Sequence, residues 1–543
     1  MLARIVCLFF AARGRNGVRR GWVGAILGLL LTIMAGAPAW SASPGVLVIG
    51  AEGTIPPLDP HRLTGTVGLR IIDAIFDPLV REDMRSETKG APALTPGLAE
   101  SWSSSADGRM LTMRIRTGVV FHDGTPLDAA AVKANFDRLI DKGSATYDAR
   151  AAGAMSFLTR WIASTDAPDA GSFVIALKEP FAELPRLLAD RRMGIVSPRA
   201  LSEHKGDALG ANPVGTGPFT LDRFVQGQQL DLRRWARYWG GAVKVERVVF
   251  RQIPDPTTMA TALQTGDIDV IPSANAQQVQ QLQGKPGIAI QYPEPPNQYF
   301  VRLNTRVQPT ANADFRRALN FAINRQAIVA LTGGQVAPLG GPVPGGNEIF
   351  SPGMAQPYGY DPAKARQLLA ATGIAMPVTM RLYVPNSGPG LTLAPQVIAL
   401  IQQDLRAVGV NLVPQFLEFA ALVAAEGPGY RDDVHGSLNG WATGVETPYW
   451  LERMFGGAQQ PPQGVNRGWF RNEKLDALFD RARVALDTPT RRALYVEAAE
   501  LVAAEAPWVF LYQDRLPRIY RERVTGLAAA PSVFFDYPGL GLR

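Results

Sequence analysis

Between residues 378 and 416 the hydrophobic period changes from about two to about 3.6 and back to about two. Residues 378–384 alternate like a strand. Val397, Ile398, Ile401 and Leu405 fall on one helical face, Gly409 ends that helix, and Val410 begins a second strand running to Phe416. Parallel strands need a crossover of a dozen or more residues, normally a helix. The stretch therefore predicts a βαβ unit and a parallel sheet. Similar signals recur along the chain. Val46-Leu47-Val48-Ile49 reads as a short buried strand, and Leu111, Met113 and Ile115 alternate with Thr112 and Arg114. Asp128 caps a helix with Val132, Phe136, Leu139 and Ile140 on one face. Asp361-Pro362 starts a helix that carries Leu368 and Leu369 and stops at Gly373. Two late helices carry Leu475, Leu478, Phe479 and Ala482, then Leu494, Leu501 and Val502 after a Thr488-Pro489 start. The predicted class is α/β.

At 543 residues the chain is too long for one compact core. Two Gly/Pro-rich stretches divide it, Asn212-Pro213-Val214-Gly215-Thr216-Gly217-Pro218 and residues 338–346. Several α/β segments joined in this way predict two lobes, and a cleft between such lobes is a common ligand site.

The first segment has a different character. Arg4, Arg13, Arg15, Arg19 and Arg20 precede any acid, an apolar run follows from Trp22 to about Ala35, and Ala37-Pro38-Ala39 closes it. This is the pattern of a secretory signal spanning 1–39, cleaved near Ala39, and its apolar run is shorter than the ~20 residues of a membrane-spanning helix. Arg19-Arg20 also resembles a twin-arginine signal, though the surrounding match is poor. An earlier apolar patch, Ile5 to Ala12, points to a start later than Met1. Taking the five arginines from the formal net charge of +7 leaves +2. A nearly neutral surface argues against nucleic acid as the partner. Cys7 is the single cysteine and lies within the leader, so the exported chain has no disulfide, no thiolate metal site and no cysteine on which to attach a lipid. The expected location is the periplasm.

Catalytic patterns are missing. The histidines stand at 61, 122, 204 and 435, none within helical ligand spacing of another. There is no nucleophile elbow and no P-loop. Gly215-Thr216-Gly217-Pro218 lacks the third glycine of a dinucleotide loop and reads as a tight turn. His122-Asp123-Gly124 reads as part of a strand-to-helix turn rather than an acid/base pair. No cofactor, metal or catalysis is expected. Aromatic residues suggest another chemistry. Trp441, Tyr449 and Trp450 surround Glu446, and Tyr292 and Tyr299 flank Pro293-Glu294-Pro295-Pro296-Asn297-Gln298. Rings on polar segments supply flat contact area with hydrogen-bonding ends, as a cleft lining would.

Taken in order, the motifs resemble a known family. Leu58-Asp59-Pro60 and Asp73-Ala74-Ile75-Phe76-Asp77-Pro78-Leu79 resemble the opening of the bacterial extracellular solute-binding proteins of family 5, the oligopeptide-, dipeptide- and nickel-type receptors of ABC importers. Pro96-Gly97-Leu98-Ala99-Glu100-Ser101-Trp102, Phe121-His122-Asp123-Gly124-Thr125-Pro126-Leu127 and Asn212 to Phe219 follow in register. So do Leu263-Gln264-Thr265-Gly266-Asp267-Ile268-Asp269, Arg316 to Arg325, and Arg492-Ala493-Leu494-Tyr495. The resemblance implies a two-lobed periplasmic binding protein, type II-like, with an additional domain inserted near the N-terminus. The first lobe is expected at 43–76, 214–302 and 510–543, the additional domain at 77–213 and the second lobe at 303–509. Two strands between the lobes would act as hinges.

Peptide receptors of this family carry a Trp-x-x-Asp segment whose aspartate pairs with the ligand ammonium. Here Trp441 is followed by Gly444 where that aspartate would stand, with Glu446 two residues on. The loop Pro385-Asn386-Ser387-Gly388-Pro389-Gly390 also lacks the arginine that holds the carboxylate in dipeptide-type members. A blocked, modified or longer peptide, or another amphipathic solute, gains ground over a free dipeptide. Nickel gains no support from so few histidines. The expected contacts are Trp441 and Tyr449 by stacking, Glu446 by charge, Asn297 and Tyr299 by hydrogen bonds, and Ile55 at the mouth. The expected partners are a small peptide-like solute and the ABC permease subunits of the inner membrane, with the receptor a monomer. The alternatives are a secreted peptide hydrolase and a sensing or chaperone protein using the same cleft.

Overall fold

The computed structural model describes residues 45–543 except 86–90, 294, 351–355, 387–390, 392, 442–446 and 529. The predicted leader 1–39, Gly444, Glu446 and 387–390 lie outside the described residues.

The chain opens with β1 (Val46–Ala51), whose side chains are mostly buried. It then leaves for a separate layer: β2 (Val80–Glu82), β3 (Leu94–Pro96), β4 (Ala99–Ser104), β5 (Met110–Ile115), β6 (Ile162–Asp169) and β7 (Ser172–Leu177). β2 pairs with β3, and the other four form a sheet in the order β4-β5-β7-β6. The alternation read in the sequence is the burial pattern of β5, where Leu111, Met113 and Ile115 are buried and their neighbours are exposed. The helix Ala129–Ile140 begins where Asp128 accepts the Ala131 N–H at 2.7 Å. This layer has its own core around Phe121, Phe136, Trp161 and Phe173.

The chain returns with β8 (Phe219–Val225), β9 (Gln229–Arg234), β10 (Arg247–Gln252), β11 (Val270–Ile271) and β12 (Ile288–Gln291). It next enters a second large sheet with β13 (Gln298–Leu303), β14 (Val336–Pro338), β15 (Val378–Pro385), β16 (Val410–Leu417), β17 (Gly436–Trp441) and β18 (Trp508–Asp514). β19 (Arg518–Arg521) goes back, followed by the short β20 (Val524–Thr525) and β21 (Gly541–Leu542). The seven-stranded sheet runs β12-β19-β11-β1-β10-β9-β8, and the six-stranded sheet runs β14-β18-β13-β17-β15-β16. β15 and β16 are parallel, with Val378 opposite Val410, and the helix Ala394–Arg406 crosses between them. Gly409 takes φ +87° to turn that helix into β16. This is the predicted βαβ unit.

Sheet membership moves two expected boundaries. The ranges 214–302 and 510–543 put most of β13 and β18 in the first lobe, yet both pair inside the second sheet. Every residue of both strands is buried. Strands buried on both faces carry no alternation that would tell which sheet they join. The crossings between lobes are therefore residues 292–297 and 515–517.

The loop 212–218 also differs from the tight turn expected of it. A Cβ on Gly215 would lie 2.2 Å from the Ile75 carbonyl oxygen, and one on Gly217 would lie 2.6 Å from the Ile75 carbonyl carbon. These glycines allow backbone to pack on backbone. Between them the Thr216 hydroxyl donates to buried Asp77 at 2.9 Å.

Candidate functional site

A cavity of 1680 Å³ opens between the sheets, lined by the first lobe, the additional layer and the second lobe together. Thr54, Pro56, Arg70 and Phe534 come from the first lobe, Phe157, Asp190 and Arg192 from the additional layer, and Trp441, Arg453 and Tyr512 from the second lobe. Asn297, Tyr299 and Asp514 line it where the chain crosses.

The crossing is built around one carboxylate. Asp514 ends β18, almost fully buried, and its Oδ2 accepts the Tyr299 hydroxyl at 2.8 Å and the Asn297 side-chain N–H at 3.5 Å. Tyr299 is held for this role. Its ring stacks on Tyr512 with centroids 4.8 Å apart and fills space that only glycine leaves at 440, where a Cβ would stand 2.5 Å from the ring. Burial pushes the Asp514 carboxyl up to about 7, against the lowering effect of those two hydrogen bonds. Among the described residues no arginine or lysine pairs with it. Beside it Gln513 fixes the crossing, donating to the Pro295 carbonyl at 2.8 Å and the Gly345 carbonyl at 3.0 Å and accepting the Gly345 N–H at 2.7 Å.

Cations line the remaining walls. Arg70 is fully engaged, donating to Glu52 and Ser273 at 2.5 Å each and to the Val533 carbonyl at 3.1 Å. Arg192 forks onto Asp190 at 2.9 and 2.6 Å and covers the Phe157 ring at 4.6 Å. Among the described residues Arg453 has no such partner. Its guanidinium sits 5.2 Å from the Trp441 ring centroid and 5.5 Å from that of Phe157. Burial first, then the cations Arg192 and Arg160, pushes its pKa below the usual arginine value.

The residues singled out in the sequence fall into three groups. Trp441, Asn297 and Tyr299 border the cavity, but the Tyr299 hydroxyl is already committed to Asp514. Tyr449 also borders it, yet only 1% of it is exposed, and its ring packs edge-on against Trp161 and Phe181 at 5.7 and 5.0 Å. Ile55 is buried in the first-lobe core, and its neighbours Thr54 and Pro56 are the ones that face the cavity. Of the flanking aromatics, Trp450 is buried against Phe455 and Trp508, while Tyr292 is exposed. Sequence reasoning missed Asp514, Arg453, Phe157 and Arg192. Asp514 carried a signal, an acid closing the apolar run Val509-Phe510-Leu511-Tyr512. Arg453 stands one helical turn after Tyr449, on the same face of the helix Tyr449–Phe455.

The sequence model of the bacterial extracellular solute-binding proteins, family 5 Middle, matches residues 93–462. The glutathione-binding protein GsiB of Escherichia coli (strain K12) is 29% identical over 524 residues, covering 95% of this chain and 98% of that protein. Among solved structures, HbpA2 from Haemophilus parasuis superposes with a TM-score of 0.81 at 24% identity, covering 92% of this chain and 100% of that one. DppA from Helicobacter pylori, an ABC transporter-associated periplasmic binding protein solved with the peptide STSA, gives 0.76 at 25% identity, covering 92% and 98%.

Proposed function

The chain belongs to the bacterial extracellular solute-binding proteins of family 5, and we propose that it captures a peptide-like solute in the cleft between its lobes for an ABC importer. Its role is that of the substrate-binding component, which hands the solute to the membrane permease. The reading is carried by a 1680 Å³ cavity lined by both lobes at the two strand crossings that join them. A cleft so placed can close on a solute by bending at residues 292–297 and 515–517. It is also large enough for several amino-acid residues. GsiB binds glutathione and the Helicobacter pylori protein was solved with a tetrapeptide, which supports cargo of this size and chemistry. No helix among the described residues is long and apolar enough to cross a membrane. We infer export to the periplasm by the leader at 1–39, and a receptor with no catalysis of its own. Within the cleft we assign stacking to Trp441, a hydrogen bond to Asn297, and recognition of positive charge to Asp514, with Tyr299 orienting that carboxylate.

Thermal unfolding tests this directly. The purified chain is melted against di- to octapeptides, blocked peptides, opines, glutathione and chelated nickel. A solute bound by the folded state adds roughly 2.7 kcal/mol of stability at about a hundredfold excess over Kd, and the melting point rises accordingly. The expected result is a rise with one class of peptide-like solute. A panel without any shift counts against the receptor, and steady turnover of a peptide would favour the hydrolase alternative.

A further inference from the structure

Arg453 is a cleft cation that no anion among the described residues satisfies. A guanidinium carries five N–H donors. Among the described residues Arg453 uses none of them on a hydrogen bond or an ion pair, and its contacts are the two aromatic faces of Trp441 and Phe157. The acid beside it, Asp190, has both oxygens taken by Arg192. Among the described residues, Asp190 and Arg192 offset each other and leave the Arg453 charge uncompensated. Withdrawing a charge from water without a partner is costly, and such a charge persists where something outside the chain supplies the partner. A second donor is also open here, because the buried Trp441 indole N–H has no acceptor among the described residues.

The geometry points to the chemistry of the missing partner. Rings flanking a guanidinium leave its edge, where the N–H groups point, free for a planar anion. A carboxylate matches that edge with two parallel hydrogen bonds and supplies the opposite charge. We propose that Arg453, held between Trp441 of the second lobe and Phe157 of the additional layer, is the carboxylate anchor of the cleft, and that the cargo carries a free carboxylate. This inference rests on the receptor reading above. It supplies from the helix Tyr449–Phe455 the charge that the loop at 385–390 lacks. It also gives the additional layer a part in gripping the solute, since Phe157 and Arg192 both come from there.

Calorimetric titration of the full exported chain tests the assignment. Each solute that raises the melting point is compared with its carboxamide on the unaltered protein, on Arg453→Met and on Arg453→Lys. The free acid should bind the unaltered protein at least about tenfold more tightly than the amide. Arg453→Met should lose that factor for the acid and weaken amide binding much less, and Arg453→Lys should keep part of the preference. Unliganded Arg453→Met should melt at or above the unaltered protein, because it removes a charge that no described residue pairs. Equal binding of acid and amide by the unaltered protein would overturn the assignment, as would a preference that survives in Arg453→Met. Tighter binding of inorganic phosphate than of acetate would overturn the choice of carboxylate. If no solute binds the unaltered protein, the receptor reading fails and this assignment falls with it.

Discussion

The joint between the first lobe and the additional layer, whose Asp59 also borders the cavity, and the Arg453 and Asp514 positions of the cleft handle buried charge in opposite ways. At the joint, Arg138 donates to both oxygens of Asp59 at 2.9 and 2.5 Å, to His61 Nδ1 at 2.9 Å and to Asp148 at 3.0 Å. Burial, followed by the Arg138 charge, pushes His61 down to about 3, so it stays neutral and accepts. In the cleft, among the described residues, Arg453 has no anion and Asp514 has no cation. A charge satisfied within the chain locks one arrangement in place, whereas an unsatisfied one is costly until a ligand arrives. The first kind marks a joint and the second marks a binding surface.

The largest expected effect comes from breaking a joint. Asp59→Ala leaves Arg138 with Asp148 as its remaining anion, beside His61, and should lower stability by about 3–5 kcal/mol, read from denaturant unfolding. Ligand affinity measured below the melting point should not change. If the variant melts like the unaltered protein, the network does not carry the lobe.

Asp514 sharpens the contrast through pH. Its carboxyl titrates near 3.8 in an unfolded chain and about 7 in the folded one, so the folded state holds the proton longer. The stability it contributes is complete below about pH 4 and is lost as pH rises through about 7. Asp514→Asn remains neutral throughout. It should match the unaltered protein near pH 4 and exceed it by about 1–3 kcal/mol near pH 8 in the absence of ligand. Parallel stability profiles for the two proteins would show that Asp514 is ionised at no cost. A smaller effect is expected at Trp441. Trp441→Ala should weaken solute binding by about 1–2 kcal/mol and leave the melting point nearly unchanged, since the ring is only partly buried. An unaltered dissociation constant would remove Trp441 from the site.

The same contrast explains what could be read in the sequence. Periodicity gave the βαβ unit at 378–417, and capping residues gave the helix starts at Asp128 and Asp361, because these signals are local. The family motifs turn out to be largely joints. Arg316 donates to the Glu505 carbonyl, Asn320 to the Trp508 carbonyl and Arg325 to the Phe510 carbonyl, tying residues 316–325 to β18 and to the end of the helix that precedes it. Thr216 and Trp239 both donate to Asp77. Motifs of this kind carry the architecture of the fold and say little about the ligand. Phe157 and Arg453 are far apart in sequence, and Arg453 and Asp514 matter because, among the described residues, no opposite charge pairs with them. No local pattern records a missing partner, so these positions were not legible in the sequence.

Side-by-side titration of the tightest-binding free acid into Arg453→Met and Asp59→Ala, with melting recorded on both, tests the account most directly. The account predicts that Arg453→Met loses affinity at an unchanged or raised melting point, and that Asp59→Ala loses melting temperature while retaining affinity below it. Loss of stability in Arg453→Met together with loss of affinity in folded Asp59→Ala would contradict the division between paired joints and unpaired binding groups.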